Sequence, residues 1–175
     1  MGSSRDYPDF DSFVVARQQA LLRAAYLMVG DAGLAEDLVQ EALVKTYAAW
    51  PRVRTRGNPE AYVRRAITTT ALSWFRRKRW YGERPTGVVP EQQLGDHAGR
   101  VTDGAWLAAR LDELPPRQRI AVVLRFYEDL TEAQTAEVMG CAVGTVKSQV
   151  SAALTKLRVS TLPDLSDHLD PAVTR

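Results

Sequence analysis

The stretch from Leu111 to Arg158, LDELPPRQRIAVVLRFYEDLTEAQTAEVMGCAVGTVKSQVSAALTKLR, constrains the fold more than any other part of the chain. It spells a short helix, a tight turn and a longer helix in close succession. Thr131, with Gln134 three residues on, predicts a capping box, in which side chain and backbone satisfy each other's free donors at a helix start. Gly140 follows Met139 and supplies the left-handed backbone that ends such a helix. A second helix restarts almost at once. In it Val146, Val150, Ala153, Leu154 and Leu157 share one side, while Gly144, Ser148, Ser151, Ala152 and Thr155 share the other. This is helix-turn-helix grammar. The outward side is small and polar, and no acid occurs from Val143 to Arg158. Such a face lets a helix backbone sit deep in a DNA major groove, with Thr145, Ser148 and Gln149 reaching base edges and Lys147 reaching phosphate. The solvated face of an ordinary helical bundle would carry more Glu and Lys.

The net charge of +2 conceals segments of opposite sign. Residues 1–50 hold four Lys/Arg against seven Asp/Glu, whereas residues 52–84 hold ten Lys/Arg against Glu60 and Glu83 alone. Positive charge concentrated in one block is the footprint of a polyanionic partner. No apolar run approaches membrane length, and the N-terminal MGSSRDYPDF lacks the apolar core of a signal peptide, so the expected location is the cytoplasm, with no membrane partner. The single Cys141 excludes an internal disulfide, and with His97 and His168 as the only histidines no zinc-ligand spacing can be written. No nucleophile–base pair or phosphate loop stands out either. The expectation is therefore no catalytic residue, no metal and no cofactor.

Ahead of the helix-turn-helix, apolar residues Phe10, Phe13, Val14, Leu21, Ala24, Ala25 and Met28 recur at helical spacing after Asp9 or Asp11, either of which could cap, until Gly30. Asp31 then caps a second helix whose inward stripe is Leu34, Leu38, Ala42, Thr46 and Trp50. Its outer face carries Asp37, Gln40, Glu41 and Val44, an acidic pair beside an apolar residue. That combination suits a protein partner with basic side chains better than it suits phosphate, although a solvated charged face is the bland alternative. PRVRTRGN reads as a basic loop, with Asn58 as cap and Pro59 at the first position of a third helix. This helix buries Val63, Ala66, Ile67, Thr70, Ala71 and Trp74, leaving Arg65, Thr68, Thr69, Leu72, Arg76 and Arg79 opposite. Short polar groups among arginines, close to Trp80 and Tyr81, suit a distorted or single-stranded nucleic acid.

Residues 82–104, rich in Gly and Pro and without a sustained period, read as a linker. Beyond it a helix from about Ala105 to Glu113 precedes Leu114-Pro115-Pro116, where a new helix packs Ile120, Val123, Leu124 and Tyr127 inward and lets Arg117, Arg119 and Arg125 border the DNA. The expected architecture is all-α: two small helical domains, 9–81 and 105–159, joined by a flexible linker and followed by a tail, 160–175.

In combination these segments resemble the extracytoplasmic-function sigma factors of bacterial RNA polymerase, within the sigma-70 superfamily and closest to its SigE-like group. The matching words are AEDLVQEAL at Ala35–Leu43, NPEAYVRRA at Asn58–Ala66, LPPRQR at Leu114–Arg119 and GCAVGTVKSQ at Gly140–Gln149. The resemblance implies that the first domain is sigma region 2, with Asp37, Gln40, Glu41 and Val44 docking on core RNA polymerase. It further implies that Arg54, Arg56, Asn58, Arg65, Thr68, Thr69, Leu72, Arg76, Arg77 and Arg79 meet the melted −10 strand. The second domain is then region 4, with Arg119, Gly144, Thr145, Lys147, Ser148, Gln149 and Ser151 on the −35 duplex and a further contact to the polymerase flap. An anti-sigma factor joins core polymerase and promoter DNA as a candidate partner.

The chain departs from its relatives at several of these positions. Many carry Asn and Asp at the places of Thr69 and Ser73, and Ser as recognition-helix cap where Ala142 stands, a loss worth about 0.5–2 kcal/mol of helix stability. Arg is common among them at Gln149 and Ala152, so fewer phosphate contacts and weaker, less salt-sensitive −35 binding are expected here. The competing expectation is a stand-alone helix-turn-helix regulator that dimerises through its first domain and binds a two-fold operator.

Overall fold

A computed structural model describes residues 7–55, 58–80 and 101–159, and every element among them is helical. The first, α1 (Phe10–Val29), starts where the Asp9 carboxylate accepts from the Ser12 N–H at 2.7 Å and stops at Gly30, whose φ of 75° is the left-handed conformation glycine adopts without strain. Of the two cap candidates, Asp9 is therefore the cap, and Asp11 sits in the first turn. The second, α2 (Ala32–Thr55), is capped by Asp31, which accepts from the Leu34 N–H at 2.7 Å.

The segment expected as a basic loop is instead the end of α2, which runs through Pro51 to Thr55. Proline removes one helical hydrogen bond, but burial of Val53 holds the last turns against the core, and the Thr55 hydroxyl donates back to the Pro51 carbonyl at 2.7 Å. Arg56 and Gly57 lie outside the described residues. Asn58 accepts from the Ala61 N–H at 3.0 Å and caps α3 (Pro59–Trp80) as expected.

These three helices bury Phe13, Met28, Val39, Thr46, Val63 and Ile67 between them. Phe10 and Phe13 meet Trp50 edge-on or tilted at 5.4 and 5.5 Å, which seals the end of the bundle where α1 begins.

The second unit begins with α4 (Val101–Asp112), four residues earlier than the expected Ala105. Then α5 (Pro116–Val122) opens with proline in its first turn, and it passes directly into a π turn over Val123–Tyr127. There the Glu128 N–H donates to the Val123 carbonyl and the Leu130 N–H to the Leu124 carbonyl, each at 3.0 Å, and Asp129 takes a φ of 52°. Ile120, Val123 and Leu124 are buried as expected, but Tyr127 is not. The wider turn rotates it outward beside Phe126, to 43% and 58% exposure.

Next come α6 (Glu132–Met139), with both halves of the Thr131–Gln134 capping box formed and Gly140 left-handed at its end, and α7 (Val143–Val159). Val146 and Ala153 of α7 are fully buried against α5 and α6.

The two units pack on each other. Helix α1 lies against α4, α5 and the π turn, and α3 lies against α5 and α6, so one apolar cluster runs from Phe13 through Met28 to Ile120 and Ala153. Most of the segment expected as a linker, from residue 82 to 100, and the tail 160–175 lie outside the described residues.

Candidate nucleic-acid interface and docking face

The inward stripe of α2 leaves a regular outer face. Asp37, Gln40 and Glu41 are exposed, and Val44 is 67% exposed. Glu41 pairs with Lys45 one turn on at 2.6 Å, a half-exposed bridge that holds the carboxylate in place without neutralising the face. Tyr47, which the sequence reading passed over, continues this face at 66% exposure, its ring edge-on to Phe10 at 5.1 Å. Its spacing of three from Val44 and seven from Gln40 was the available signal. Two exposed large side chains among carboxylates make a surface with apolar grip and negative sign.

On α3, Arg65, Thr69, Arg76 and Arg77 are exposed, as expected. The Thr69 hydroxyl donates to the Arg65 and Ala66 carbonyls at 2.8 and 3.1 Å, and Arg76 donates to the Ser73 hydroxyl at 3.4 Å. Lys78 sits 4.7 Å from the Trp74 ring centre, a cation over an aromatic face.

Thr68 is a correction. It is fully buried, its hydroxyl 3.9 Å from the Met28 sulfur, so it belongs to the core and offers nothing to DNA in this arrangement. Leu72 is half-buried against the same core, and the Asn58 side chain is committed to capping. Thr70 and Trp74, expected inside, are only half-buried. Arg54 is exposed on the last turn of α2. Beside it the Asp9 carboxyl is held below the ordinary 3.8, chiefly by its hydrogen bonds from Ser12, against a small opposing effect of burial and with the Arg54 charge adding to the lowering. The Arg79 side chain, like Arg56, lies outside the described residues.

On α7 the division of faces is as expected: Gly144, Lys147, Ser148, Ser151 and Ala152 face solvent, and Thr145 and Gln149 stand half-buried at the margins. No side chain caps the helix at Ala142, whose carbonyl instead accepts from the Thr145 and Val146 N–H groups. A Cβ built on Gly144 would meet nothing within 4 Å, so the glycine leaves open space on the outward side of α7. Lys147 reaches Glu132 at 3.6 Å with its side chain 62% exposed.

Arg119 is the second correction. It is 4% exposed and donates to the Leu27 carbonyl at 2.8 Å, to Asp112 at 2.8 Å and to the Ala108 carbonyl at 3.4 Å, so it cannot reach a phosphate here. A buried guanidinium needs several acceptors, and it finds one at the C-terminal end of α1, where helix carbonyls lack partners, and two on α4. Arg125 is likewise turned inward, to the Leu130 carbonyl, while Arg117 is exposed. Among the described residues no group of His, Cys, Asp or Glu is arranged to hold a metal ion, and no helix is long and apolar enough to cross a membrane.

Two family models match the chain, sigma-70 region 2 over residues 13–81 and sigma-70 region 4 over residues 105–157. The chain is 39% identical over 150 residues to the RNA polymerase sigma-E factor of Streptomyces coelicolor, an alignment covering 86% of this chain and 84% of the relative. It is 31% identical over 157 residues to the ECF RNA polymerase sigma factor SigC of Mycobacterium tuberculosis, covering 88% and 84%. Among solved structures it is similar to the sigma factor RpoE of Bartonella quintana in complex with the anti-sigma factor NepR, with a TM-score of 0.68, 25% identity and coverage of 90% of this chain and 99% of that one. With the region 2 bundle, the region 4 helix-turn-helix and these relatives in agreement, the chain belongs to the sigma-70 family as an extracytoplasmic-function sigma factor of the sigma-E kind, an alternative sigma factor for promoter-specific initiation.

Proposed function

We propose that the two domains divide the work by face. The outer side of α2, through Asp37, Gln40, Glu41 and Val44 and extended by Tyr47, docks on a basic surface of core RNA polymerase. The arginines Arg54, Arg56, Arg65, Arg76, Arg77 and Arg79, with Thr69, hold the −10 strand as it opens. The solvent side of α7, from Gly144 to Ser151, reads the −35 duplex, Lys147 meeting phosphate and Ser148 and Gln149 meeting bases. Region 4 also touches the polymerase flap. The carrying observation is that one chain presents an acidic face with apolar grip on α2 and, on separate helices, an arginine-rich face and a small-residue recognition face.

Neither DNA face has to bind tightly alone, because attachment to polymerase raises the effective concentration at both elements. Unpaired bases captured against α3 would offset an unstacking cost of a few kcal/mol per step. The chain contributes binding energy in the cytoplasm and leaves phosphoryl transfer to the polymerase. An anti-sigma factor is a further partner in this reading, supported by the partner named for the Bartonella structure. A stand-alone regulator would need no acidic docking face.

Transcription with core polymerase and a promoter library tests the proposal. Initiation at a defined class of promoters is expected, and it is lost when the α2 face is reversed in charge. Failure to start at any site, with a shift of bare operator DNA, would overturn it.

A further inference from the structure

The end of α7 is fastened to α4. The Arg110 guanidinium donates to the Leu157 carbonyl at 3.0 Å and the Lys156 ammonium to the Glu113 carbonyl at 2.5 Å, so the chain leaves α7 beside the last turn of α4. One turn back along α4, about 6 Å from Arg110, Trp106 and Leu107 stand 60% and 38% exposed while Ala108 and Leu111 face the core. This apolar patch belongs to none of the faces assigned above.

The segment that follows α7 has the complementary make-up. In residues 160–175, Leu162, Leu165 and Leu169 recur at the spacing of one apolar stripe, and Asp164, Asp167 and Asp170 fall off it. The end of α7 is basic, with Lys156 and Arg158 in its last turn, and the neighbouring acids Asp112 and Glu113 are already bonded to Arg119 and Arg110.

We infer that the patch on α4 is the seat of the chain's own tail: Leu162, Leu165 and Leu169 cover Trp106 and Leu107, and the aspartates lie along the basic end of α7. Reach permits it, since the stretch from Leu157 to Leu162 spans up to about 17 Å. Area decides the occupant. A buried Trp contributes about 150–250 Å², well short of the roughly 1,200–2,000 Å² of a stable interface between separate chains. A segment tethered at Leu157 instead acts at an effective concentration in the millimolar range. The docked tail ties the first helix of region 4 to its last and keeps its acids at the far end of α7 from Gly144 and Ser148. The inference goes beyond the proposed division of faces and does not depend on it.

The test is fluorine NMR of the full chain grown with 5-fluorotryptophan, the Trp106 resonance being assigned by its loss in Trp106→Phe. Its shift between H2O and D2O reports exposure. A small solvent shift is expected in the parent, rising to the full value in Leu165→Ser/Leu169→Ser, while the Trp50 and Trp74 resonances stay in place and show that the fold is intact. Leu165→Met/Leu169→Met should keep Trp106 protected. A second measurement leaves the leucines untouched: in Cys141→Ala/Ala172→Cys, a spin label on the tail should broaden Trp106 and spare Trp50. A Trp106 already fully exposed in the parent, or one left unbroadened by the label, overturns the inference. So does protection that survives the serine variant. Loss of that protection on dilution would then identify a second copy as the cover, and its persistence would identify residues 82–100.

Discussion

Replacing Asp37 and Glu41 together by lysine inverts the sign of the α2 face and leaves its inward stripe untouched. Glu41 is bonded to Lys45 at 2.6 Å with both side chains about half exposed, so losing that pair and placing like charges one turn apart costs the helix roughly 0.3–1 kcal/mol. Asp37 makes no described ion pair and adds little. Across a desolvated interface the balance differs: truncating one partner of a close charge pair costs about 2–5 kcal/mol, hence roughly thirtyfold to several thousandfold in affinity. The two effects are separated by at least about 1 kcal/mol, roughly fivefold in equilibrium constant. Fluorescence anisotropy of the labelled chain against core polymerase reads the second, and thermal unfolding followed by circular dichroism reads the first. The expected outcome is an unfolding midpoint within a few degrees of the parent and a large loss of core binding. Unchanged polymerase affinity in a folded variant would refute the docking face, whatever happened to transcription.

At Gly144 an alanine meets open space and should stabilise α7 by about 0.5–1 kcal/mol, yet weaken −35 duplex binding by crowding the groove; tighter binding in gel shifts would contradict the close approach. Lys147→Ala should lower affinity about equally for all −35 sequences and reduce the salt slope by about one, whereas Gln149→Ala should change sequence preference, and a flat response to both would remove the recognition-helix assignment. Thr135 is fully buried with its hydroxyl unbonded, so Thr135→Val should raise stability by about 1 kcal/mol in urea unfolding; a loss of stability would mean the hydroxyl has a partner. Because the folded-state pKa of Asp9 is lowered below 3.8, its cap on α1 contributes fully above that value and is lost as pH falls through the lower one. Amide exchange in the first turn of α1 should accelerate only there, and acceleration at neutral pH would sink this account.

Local rules carried far in this chain wherever the deciding partners lie within a turn or two. Asp9, Asp31, Asn58, the Thr131–Gln134 box, Gly30 and Gly140 all end or begin helices as their chemistry dictates. The two faces of α7 follow from 3.6-residue spacing alone. The departures share a different cause. Pro51 lies inside a helix because burial of Val53 outweighs one missing hydrogen bond, and Thr68 turns inward because α3 is covered along a wider arc than a single stripe. Arg119 reads as a cation bordering DNA until an acceptor 92 residues away is brought beside it, and the Arg64–Glu128 pair likewise joins residues 64 apart. No window of sequence contains both members of such a pair, and the π turn that aims Glu128 leaves no compositional mark.

The make-up of α7 fits the proposed division of labour. The α7 helix starts without a side-chain cap, its outward residues are mostly small, and Lys147, the cation among its proposed DNA contacts, already leans toward Glu132. A self-sufficient DNA-binding protein with that face would make few phosphate contacts and so bind weakly at any salt concentration. A subunit held at the promoter by a second, protein-directed attachment needs only enough −35 affinity to choose among sites. Strong phosphate contacts would even be counterproductive, since the free chain would then be retained on non-promoter DNA before it met polymerase. Acid on α2 and a lightly charged α7 thus fit the proposed order, in which polymerase is engaged first and DNA is read afterwards.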